Sequence, residues 1–243
     1  LRRSHSETMH AMTDRFSVEV RRMRAAYARW SDNAKYSWAE PAHVFRLQSL
    51  ERHVLALLRG RGLTPLKGKR ILEIGCGRGH WLREFTKWGA CPEDVVGLDV
   101  LPEPIQEGKR LGAAELNLIC ANAGDLPLRD DSFDLVAQFT VFSSILDPGL
   151  KHHIALEMLR VLKPSGLILW YDFFVNNPRN PDVRGVGKLE LHQLFSGCNV
   201  DVRRVTLAPP LADRVAGGFW LLCTVLELIP LLRTHYLAAV QKR

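Results

Sequence analysis

Long apolar runs and paired cysteines are both missing from this sequence of 243 residues. No stretch approaches the ~20 consecutive apolar residues of a membrane-spanning helix, so a membrane span is not expected. The five cysteines are scattered and include no C-x-x-C pair, which argues against a disulfide framework and against a metal site. The first residues lack the apolar core of a signal peptide. These absences predict a cytoplasmic protein with reduced thiols and no bound metal.

An excess of acidic residues is missing too, because 33 basic and 26 acidic side chains give a formal net charge of +7. Residues 1–30 contain seven arginines and three acidic residues, or +4 of that total. The difference, +7 minus +4, leaves about +3 for the other 213 residues. Such a distribution favours a solvated, basic helix face over a nucleic-acid-binding groove, so a nucleic-acid partner is not expected.

The strongest positive signal begins at the apolar run Ile71–Ile74, which is typical of a short buried strand. Three glycines follow at alternate positions: Gly75, Gly77 and Gly79. Glycine lets the backbone turn sharply and approach a ligand closely, because it has no Cβ. An apolar, helix-compatible run then covers residues 81–85. The pattern predicts a strand, a glycine turn and a helix that hold a nucleotide-like ligand at the carboxyl end of the strand.

The spacing of these glycines differs from a dinucleotide fingerprint. The pattern G-x-G-x-x-G would need a third glycine where this sequence has His80. The strand also carries Glu73, and a carboxylate is unfavourable beside a pyrophosphate but suitable beside a cationic ligand. Asp99 ends a second apolar run, twenty residues after Gly79. A carboxylate at that place accepts hydrogen bonds from ribose hydroxyls, which predicts a ligand that contains a nucleoside.

Taken together, E-x-G-x-G-x-G resembles motif I of the class I S-adenosylmethionine-dependent methyltransferases. Residues 122–136, NAGDLPLRDDSFDLV, are similar to the run D-A-x-x-L-P-F-x-D-x-S-F-D-L-V of that family. Residues 162–166 resemble its L-K-P-G-G turn, with Ser165 in place of a glycine. The resemblance covers residues 68–172 well and the rest of the chain loosely.

The resemblance implies an α/β fold with a seven-stranded, doubly wound, Rossmann-like sheet that has one antiparallel strand and an N-terminal helical cap. We therefore expect residues 1–62 to form a helical arm and cap, and residues 63–243 to form the cofactor-binding core. Within the arm, apolar residues at three- and four-residue steps predict a first helix over residues 7–30 and a second over residues 41–59.

The cofactor implied by the resemblance is S-adenosyl-L-methionine. The residues expected to bind it lie at the ends of the first four strands: Glu73, Gly75, Cys76, Gly77, Gly79, Asp99, Val100, Asn122, Ala123 and Gln138. Asn122 departs from the family pattern, which has an aspartate that accepts a hydrogen bond from the adenine amino group. The amide oxygen of asparagine can still accept that bond, and Ala123 would offer its backbone N–H to the adenine ring.

A methyltransferase must align its acceptor with the cofactor and needs a base when the acceptor starts protonated. Three candidate bases lie where the mouth of the crevice is expected. His80 follows the glycine turn, His43 lies beside an aromatic loop at residues 36–43, and Asp172 ends the fifth strand. Each also has a purely structural interpretation, as a helix-end, surface or turn residue, so the sequence does not choose among them.

The run Tyr171-Asp-Phe, followed by Asn177-Pro-Arg-Asn-Pro, resembles a bacterial subgroup of that family associated with natural-product or glycan tailoring. The resemblance implies a small-molecule acceptor of the natural-product or sugar type, and the polar loop at residues 173–187 is expected to carry the specificity. A lipid-like or quinone-type acceptor at a membrane surface is an alternative, and a non-catalytic cofactor-binding module is another. No [DNS]-P-P-[YFW] motif follows the fourth strand and no Pro-Cys dipeptide occurs, which disfavours base-directed amino methyltransferases and cytosine C5 enzymes. His80 in the glycine pattern disfavours a dehydrogenase.

An apolar run at residues 219–232 predicts a helix between the last two strands. Fourteen residues rise about 21 Å, which is too short to cross a bilayer core of ~30 Å. Because the run is apolar on nearly every face, we expect it to be buried in the core. A subunit interface is the second interpretation and contact with lipid the third. A homodimer would form through this helix or through the N-terminal arm.

Overall fold

The structure is a computed structural model that describes residues 16–29, 37–111, 116–178 and 180–243. Within these ranges the α-helices are α1 (16–29), α2 (Pro41–Gly60), α3 (His80–Lys87), α4 (Pro102–Arg110), α5 (Pro148–Val161), α6 (Lys188–Leu194), α7 (Pro209–Val215) and α8 (Trp220–Glu227). The β-strands are β1 (Ile71–Ile74), β2 (Val95–Asp99), β3 (Asn117–Cys120), β4 (Phe133–Phe139), β5 (Leu162–Phe173), β6 (Asn199–Leu207) and β7 (Arg233–Gln241). Short 3-10 helices cover Pro92–Asp94, Phe142–Ser144 and Pro230–Leu232.

All seven strands form one sheet in the order β3-β2-β1-β4-β5-β7-β6. Strands β1 to β5 pair in parallel, whereas β7 pairs antiparallel with both β5 and β6. The predicted seven-stranded, doubly wound sheet with one antiparallel strand is therefore confirmed. The strand order reverses between β1 and β4, and sheets of this kind bind ligands outside the carboxyl ends of the strands at such a point.

The sheet is buried on both faces, which explains the continuous apolar runs of its central strands. All four residues of β1 are buried, including Glu73. Helices α2 and α3 cover one face of the sheet, and α5 and α6 cover the other. Neighbouring residues of one strand therefore point into different cores: Trp170 packs against the α5 side and Tyr171 against the α2 side.

Helix α1 contacts α4 and the segments that follow β4 and β5, all near the carboxyl ends of the strands. Arg24 forms an ion pair with Glu103 of α4, with a nitrogen–oxygen distance of 3.2 Å. Arg22 donates hydrogen bonds to the carbonyl oxygens of Ser144, after β4, and Asp182, after β5. These contacts fit the predicted N-terminal cap. Residues 7–15 and 30 of the predicted first helix lie outside the described residues, and the division at residues 62 and 63 stays a prediction.

The prediction of one buried helix over residues 219–232 is wrong in both length and burial. Helix α8 ends at Glu227, and Pro230 then opens a 3-10 turn, because proline lacks an N–H donor and its ring clashes with the preceding helical turn. Only Cys223 and Glu227 of α8 are buried, since so short a helix presents one narrow face to the protein. No helix in the described part of the chain is long and apolar enough to cross a membrane.

Candidate functional site

The glycine turn after β1 has a backbone that only glycine adopts readily. Gly75, Gly77 and Gly79 have φ angles of 67°, 52° and 75°, all in the left-handed region. A Cβ on Gly75 would lie 2.3 Å from Cγ2 of Val141, so the turn packs tightly against the loop after β4. A Cβ on Gly77 would meet no atom within 4 Å. The turn is therefore packed on one side and open on the other, as a ligand cradle must be.

Asp99 ties this turn to the end of β2. Its Oδ2 accepts a hydrogen bond from the N–H of Gly77, and its Oδ1 accepts one from the N–H of Leu101, each at 2.9 Å. Burial raises the pKa of Asp99, while these backbone bonds oppose that shift. Two carboxylate oxygens have about four acceptor sites. Asp99 therefore keeps capacity for ribose hydroxyls, and Val100 beside it is half-buried.

Glu73 supplies the sharpest test of whether a cationic cofactor fits. Its side chain is buried, and its Oε2 has no hydrogen-bond partner among the described residues. Burial, followed by the charge of Asp99, raises the pKa of Glu73 well above its usual range. A buried carboxylate oxygen without a hydrogen-bond partner is costly, and a cationic donor beside Oε2 would reduce that cost. The amino group of S-adenosylmethionine is such a donor and its sulfonium adds a second positive charge, so the residues present fit that cofactor.

The loop after β3 is held by Asn122. Its Oδ1 accepts a hydrogen bond from the N–H of Gly124 at 2.7 Å, and its carbonyl oxygen accepts one from Asp125. The amide oxygen that was predicted to meet adenine therefore already holds the turn, with one acceptor site remaining. Ala123 is half-buried in the same turn. The adenine contact of these two residues stays a prediction.

Two predicted site residues have their polar atoms engaged by the protein itself. Nε2 of Gln138 donates to the carbonyl of Tyr171 at 3.1 Å, and Oε1 accepts from the N–H of Val141 at 2.9 Å. This fully buried side chain positions the loop that packs against the glycine turn, and its contact with the cofactor stays a prediction. Cys76 is also buried, and burial raises the pKa of its thiol, so it packs as a neutral side chain.

Asp172 is also engaged by the protein itself, and its role as a base stays a prediction. Its Oδ2 accepts from the N–H of Ser143, and its Oδ1 accepts from its neighbour Phe173, each at 3.0 Å. Burial raises its pKa to about 7. The side chain alternates with Tyr171 along β5 and so lies on the α5 face of the sheet, with buried Lys151 nearby. It positions the loop after β4 and does not face the other two candidate bases.

Those two candidates, His43 and His80, both contact one tryptophan, Trp38. The ring centroid of Trp38 is 5.9 Å from that of His43 and 5.8 Å from that of His80. Burial lowers the pKa of both histidines from 6.5, helped for His43 by the nearby charge of Arg46. Both imidazoles are therefore neutral at pH 7. A neutral imidazole has one ring nitrogen that can accept a proton.

Sequence reasoning missed a run of rings beside these histidines, named here the aromatic row: Trp81, Phe139, Tyr171 and His235. Trp81 stacks on Phe139 with centroids 4.1 Å apart, and Tyr171 stacks on His235 at 4.9 Å. The centroids of Phe139 and Tyr171 are 6.2 Å apart, which joins the two pairs. Burial lowers the pKa of His235 to about 3, so this ring is neutral as well. Only the antiparallel placement of β7 brings His235 to this edge.

Comparison with known proteins agrees with this geometry. Residues 72–170 match the methyltransferase domain family. A crystal structure from Thermotoga maritima, described as a SAM-dependent methyltransferase and possible histamine N-methyltransferase, aligns with a TM-score of 0.62 and 18% identity. The alignment covers 90% of this chain and 99% of that one. Residues 72–170 therefore form a domain of the methyltransferase type, and the chain has the fold of the S-adenosylmethionine-dependent methyltransferase with which it aligns. The predicted resemblance and the predicted cofactor are thereby confirmed.

Two curated relatives are similar to this chain over part of their length. A demethylmenaquinone methyltransferase from Clavibacter sepedonicus is 34% identical over 128 residues, which are 51% of this chain and 48% of the relative. A sterol 24-C-methyltransferase from Schizosaccharomyces pombe is 28% identical over 160 residues, which are 60% of this chain and 40% of the relative. The chain thus spans less than half the length of either relative.

Replacing Asp99 with alanine tests the cofactor side of the methyltransferase site. We expect binding of S-adenosylhomocysteine to weaken by about 1–3 kcal/mol, because a charged acceptor is lost and the N–H of Gly77 is released. Isothermal titration calorimetry measures the change. Glu93→Ala is the control, since this exposed carboxylate precedes the first residue of β2, whereas Asp99 is its last residue. Unchanged affinity in a folded Asp99→Ala protein would remove the ribose assignment.

Proposed function

We propose that this methyltransferase transfers a methyl group from S-adenosylmethionine to an apolar, ring-bearing acceptor of the quinone or lipid class. The observation that carries the proposal is the aromatic row at the carboxyl ends of β4 and β5. Flat, uncharged rings favour a flat or greasy acceptor, since aromatic pairs gain from stacking as well as from burial. A sugar would instead need several convergent hydrogen-bonding groups.

This proposal places the lipid-like or quinone-type acceptor first, whereas the sequence analysis placed it second to a natural product or sugar. Natural products and sugars came first on the strength of the polar loop at residues 173–187. That loop is engaged with the protein: the N–H of Arg184 donates to the carbonyl of Ser143, and the carboxylate of Asp182 accepts from Arg29 of α1. The names of the two curated relatives, which specify demethylmenaquinone and a sterol, support an apolar acceptor.

Different residues bind the cofactor, contact the acceptor and accept a proton in the proposed reaction. Glu73, Asp99 and the glycine turn hold the cofactor, which supplies the methyl group when bound. Trp38, which is 62% exposed, contacts the acceptor, and the largely buried aromatic row provides an apolar wall that excludes water. His80, whose ring is neutral and half-buried, accepts the proton of an acceptor hydroxyl on a ring nitrogen.

The proposal is tested with methyl-labelled S-adenosylmethionine and three acceptors. Reduced demethylmenaquinone and a sterol are each supplied in detergent micelles, and a water-soluble glycoside is supplied in buffer. We expect label in the organic extract of a micellar reaction and none in the glycoside. Label confined to the glycoside would overturn the acceptor class. Failure to bind S-adenosylhomocysteine would overturn the activity itself and favour a non-catalytic module.

A further inference from the structure

An exposed apolar surface, named here the apolar edge patch, lies outside the site described above. It consists of the exposed large apolar side chains of one segment: Phe219, Trp220, Leu221, Leu222, Val225, Leu228, Ile229 and Leu231. Leu221 and Leu231 are 76% and 83% exposed. Between residues 215 and 232 the one charged side chain, Glu227, is buried. Soluble monomers rarely expose so continuous an apolar surface, and such patches usually mark an interaction site.

The patch lies at the same edge of the sheet as the acceptor site. Leu207 at the carboxyl end of β6 pairs with Arg233 at the start of β7, and Phe173 at the carboxyl end of β5 pairs with His235. The connection 208–232 is therefore beyond the carboxyl edge. The ring of Trp220 also meets that of Phe45, with centroids 5.3 Å apart. Phe45 follows His43 on α2, so one helix end supports both the patch and the acceptor site.

Arginines flank the patch along the chain. Residues 207–233 contain two arginines, Arg214 and Arg233, and two carboxylates, Asp213 and Glu227. Both carboxylates are engaged within the protein: Glu227 accepts a hydrogen bond from Ser49, and Asp213 forms an ion pair with Arg46 at 2.7 Å. Arg214, in the last turn of α7 shortly before the patch, is exposed. A surface with apolar side chains at its centre and arginine at its rim complements anionic headgroups above hydrocarbon.

We propose that the apolar edge patch docks the protein on a lipid bilayer that contains anionic lipids. This inference rests on the proposed function, because docking would bring the acceptor site to the place where an apolar acceptor resides. Phe219 and Trp220 suit the interface between headgroups and hydrocarbon, where aromatic side chains concentrate. A second copy of the chain fits less well, since a twofold contact between patches would place each arginine rim against its own copy.

Flotation with vesicles tests the docking. The protein is mixed with vesicles of phosphatidylcholine alone, or of an equimolar mixture of phosphatidylcholine and phosphatidylglycerol, and centrifuged through a density gradient. We expect flotation with the anionic vesicles, and its loss at high salt. The double variant Leu221→Glu/Leu231→Glu should bind about tenfold or more weakly, because two charges enter the apolar layer. Both side chains are exposed, so these changes leave the fold intact.

Leu189→Glu is the matched control, because Leu189 is 74% exposed on α6. Helix α6 packs on the face of the sheet opposite to α2, away from the patch. Its flotation should equal that of the wild type. Flotation lost equally in Leu189→Glu, or absent from the wild type, would overturn the docking. A dimer in sedimentation velocity that Leu221→Glu dissociates, without any flotation, would also overturn it and identify a second copy as the partner.

Methyl transfer to demethylmenaquinone in detergent micelles separates this inference from the proposed function. In micelles the double variant should retain the activity of the wild type, since the micelle presents the acceptor without a bilayer. Micellar activity without flotation would overturn the docking and leave the proposed function standing. Flotation without activity on any micellar acceptor would support the docking and overturn the acceptor class.

Discussion

A Gly75→Ala substitution is expected to lower the free energy of unfolding by about 2–5 kcal/mol. Holding alanine in the left-handed conformation contributes about 1–2 kcal/mol of this, and overpacking contributes about 1–3 kcal/mol. The overpacking arises because the new Cβ would lie 2.3 Å from Cγ2 of Val141, a side chain with a stiff χ1. Urea unfolding followed by circular dichroism measures the change.

Gly77→Ala is the matched control for that experiment. Gly77 has a φ angle of 52° but no atom within 4 Å of an added Cβ, so only the conformational cost of about 1–2 kcal/mol is expected. Truncating the neighbour as well, in Gly75→Ala/Val141→Ala, should recover part of the stability lost in the single variant. Equal destabilisation by Gly75→Ala and Gly77→Ala would show that the packing of Val141 does not matter.

A His80→Gln substitution is expected to lower kcat about 10²–10⁴-fold, the range attributed to general acid–base catalysis. Glutamine keeps a polar side chain of similar size beside Trp38 but cannot accept a proton at neutral pH. Affinity for S-adenosylhomocysteine, measured by calorimetry, should stay unchanged, because the proposed role of His80 concerns the acceptor. The rate is measured with the acceptor that the labelling experiment identifies.

The pH dependence of the reaction gives a second readout for His80. A base acts only when deprotonated, and burial lowers the pKa of His80 from 6.5, so the base stays active further into acid. In the wild type, kcat/KM should therefore fall only below pH 6.5, and this acidic limb should vanish in His80→Gln. His43→Gln is the control, with a loss expected below tenfold. A larger loss in His43→Gln than in His80→Gln would transfer the role to His43.

The parts of the site that could be predicted from sequence depend on local rules. A backbone turn in the left-handed region requires glycine and is therefore visible in the sequence, as it is at Gly75, Gly77 and Gly79. An apolar run buried on both faces leaves another, as β1 does. Strand order then follows from how such units assemble. For these reasons the fold, the glycine turn and the position of Asp99 were all predictable.

The direction of a side chain at a strand end was not predictable, because it depends on the register of the whole sheet. Asp172 and Gln138 were placed at the correct strand ends, yet each points to backbone groups that only the folded loops supply. His235 reaches the aromatic row through the pairing of β7 with β5, which links positions far apart in sequence. Apolar composition likewise did not reveal that the side chain of Leu221 would be exposed.

The antiparallel direction of β7 also affects which parts of the sequence can diverge during evolution. Two antiparallel neighbours need a connection of only about two to five residues, whereas parallel neighbours need a long crossover. Strands β6 and β7 are nevertheless joined by residues 208–232. Most of these residues are not needed to connect β6 to β7, so insertions, deletions and substitutions among them need not disturb strand pairing. We expect related enzymes to diverge most in this segment and to acquire new acceptors or surroundings without rebuilding the cofactor crevice.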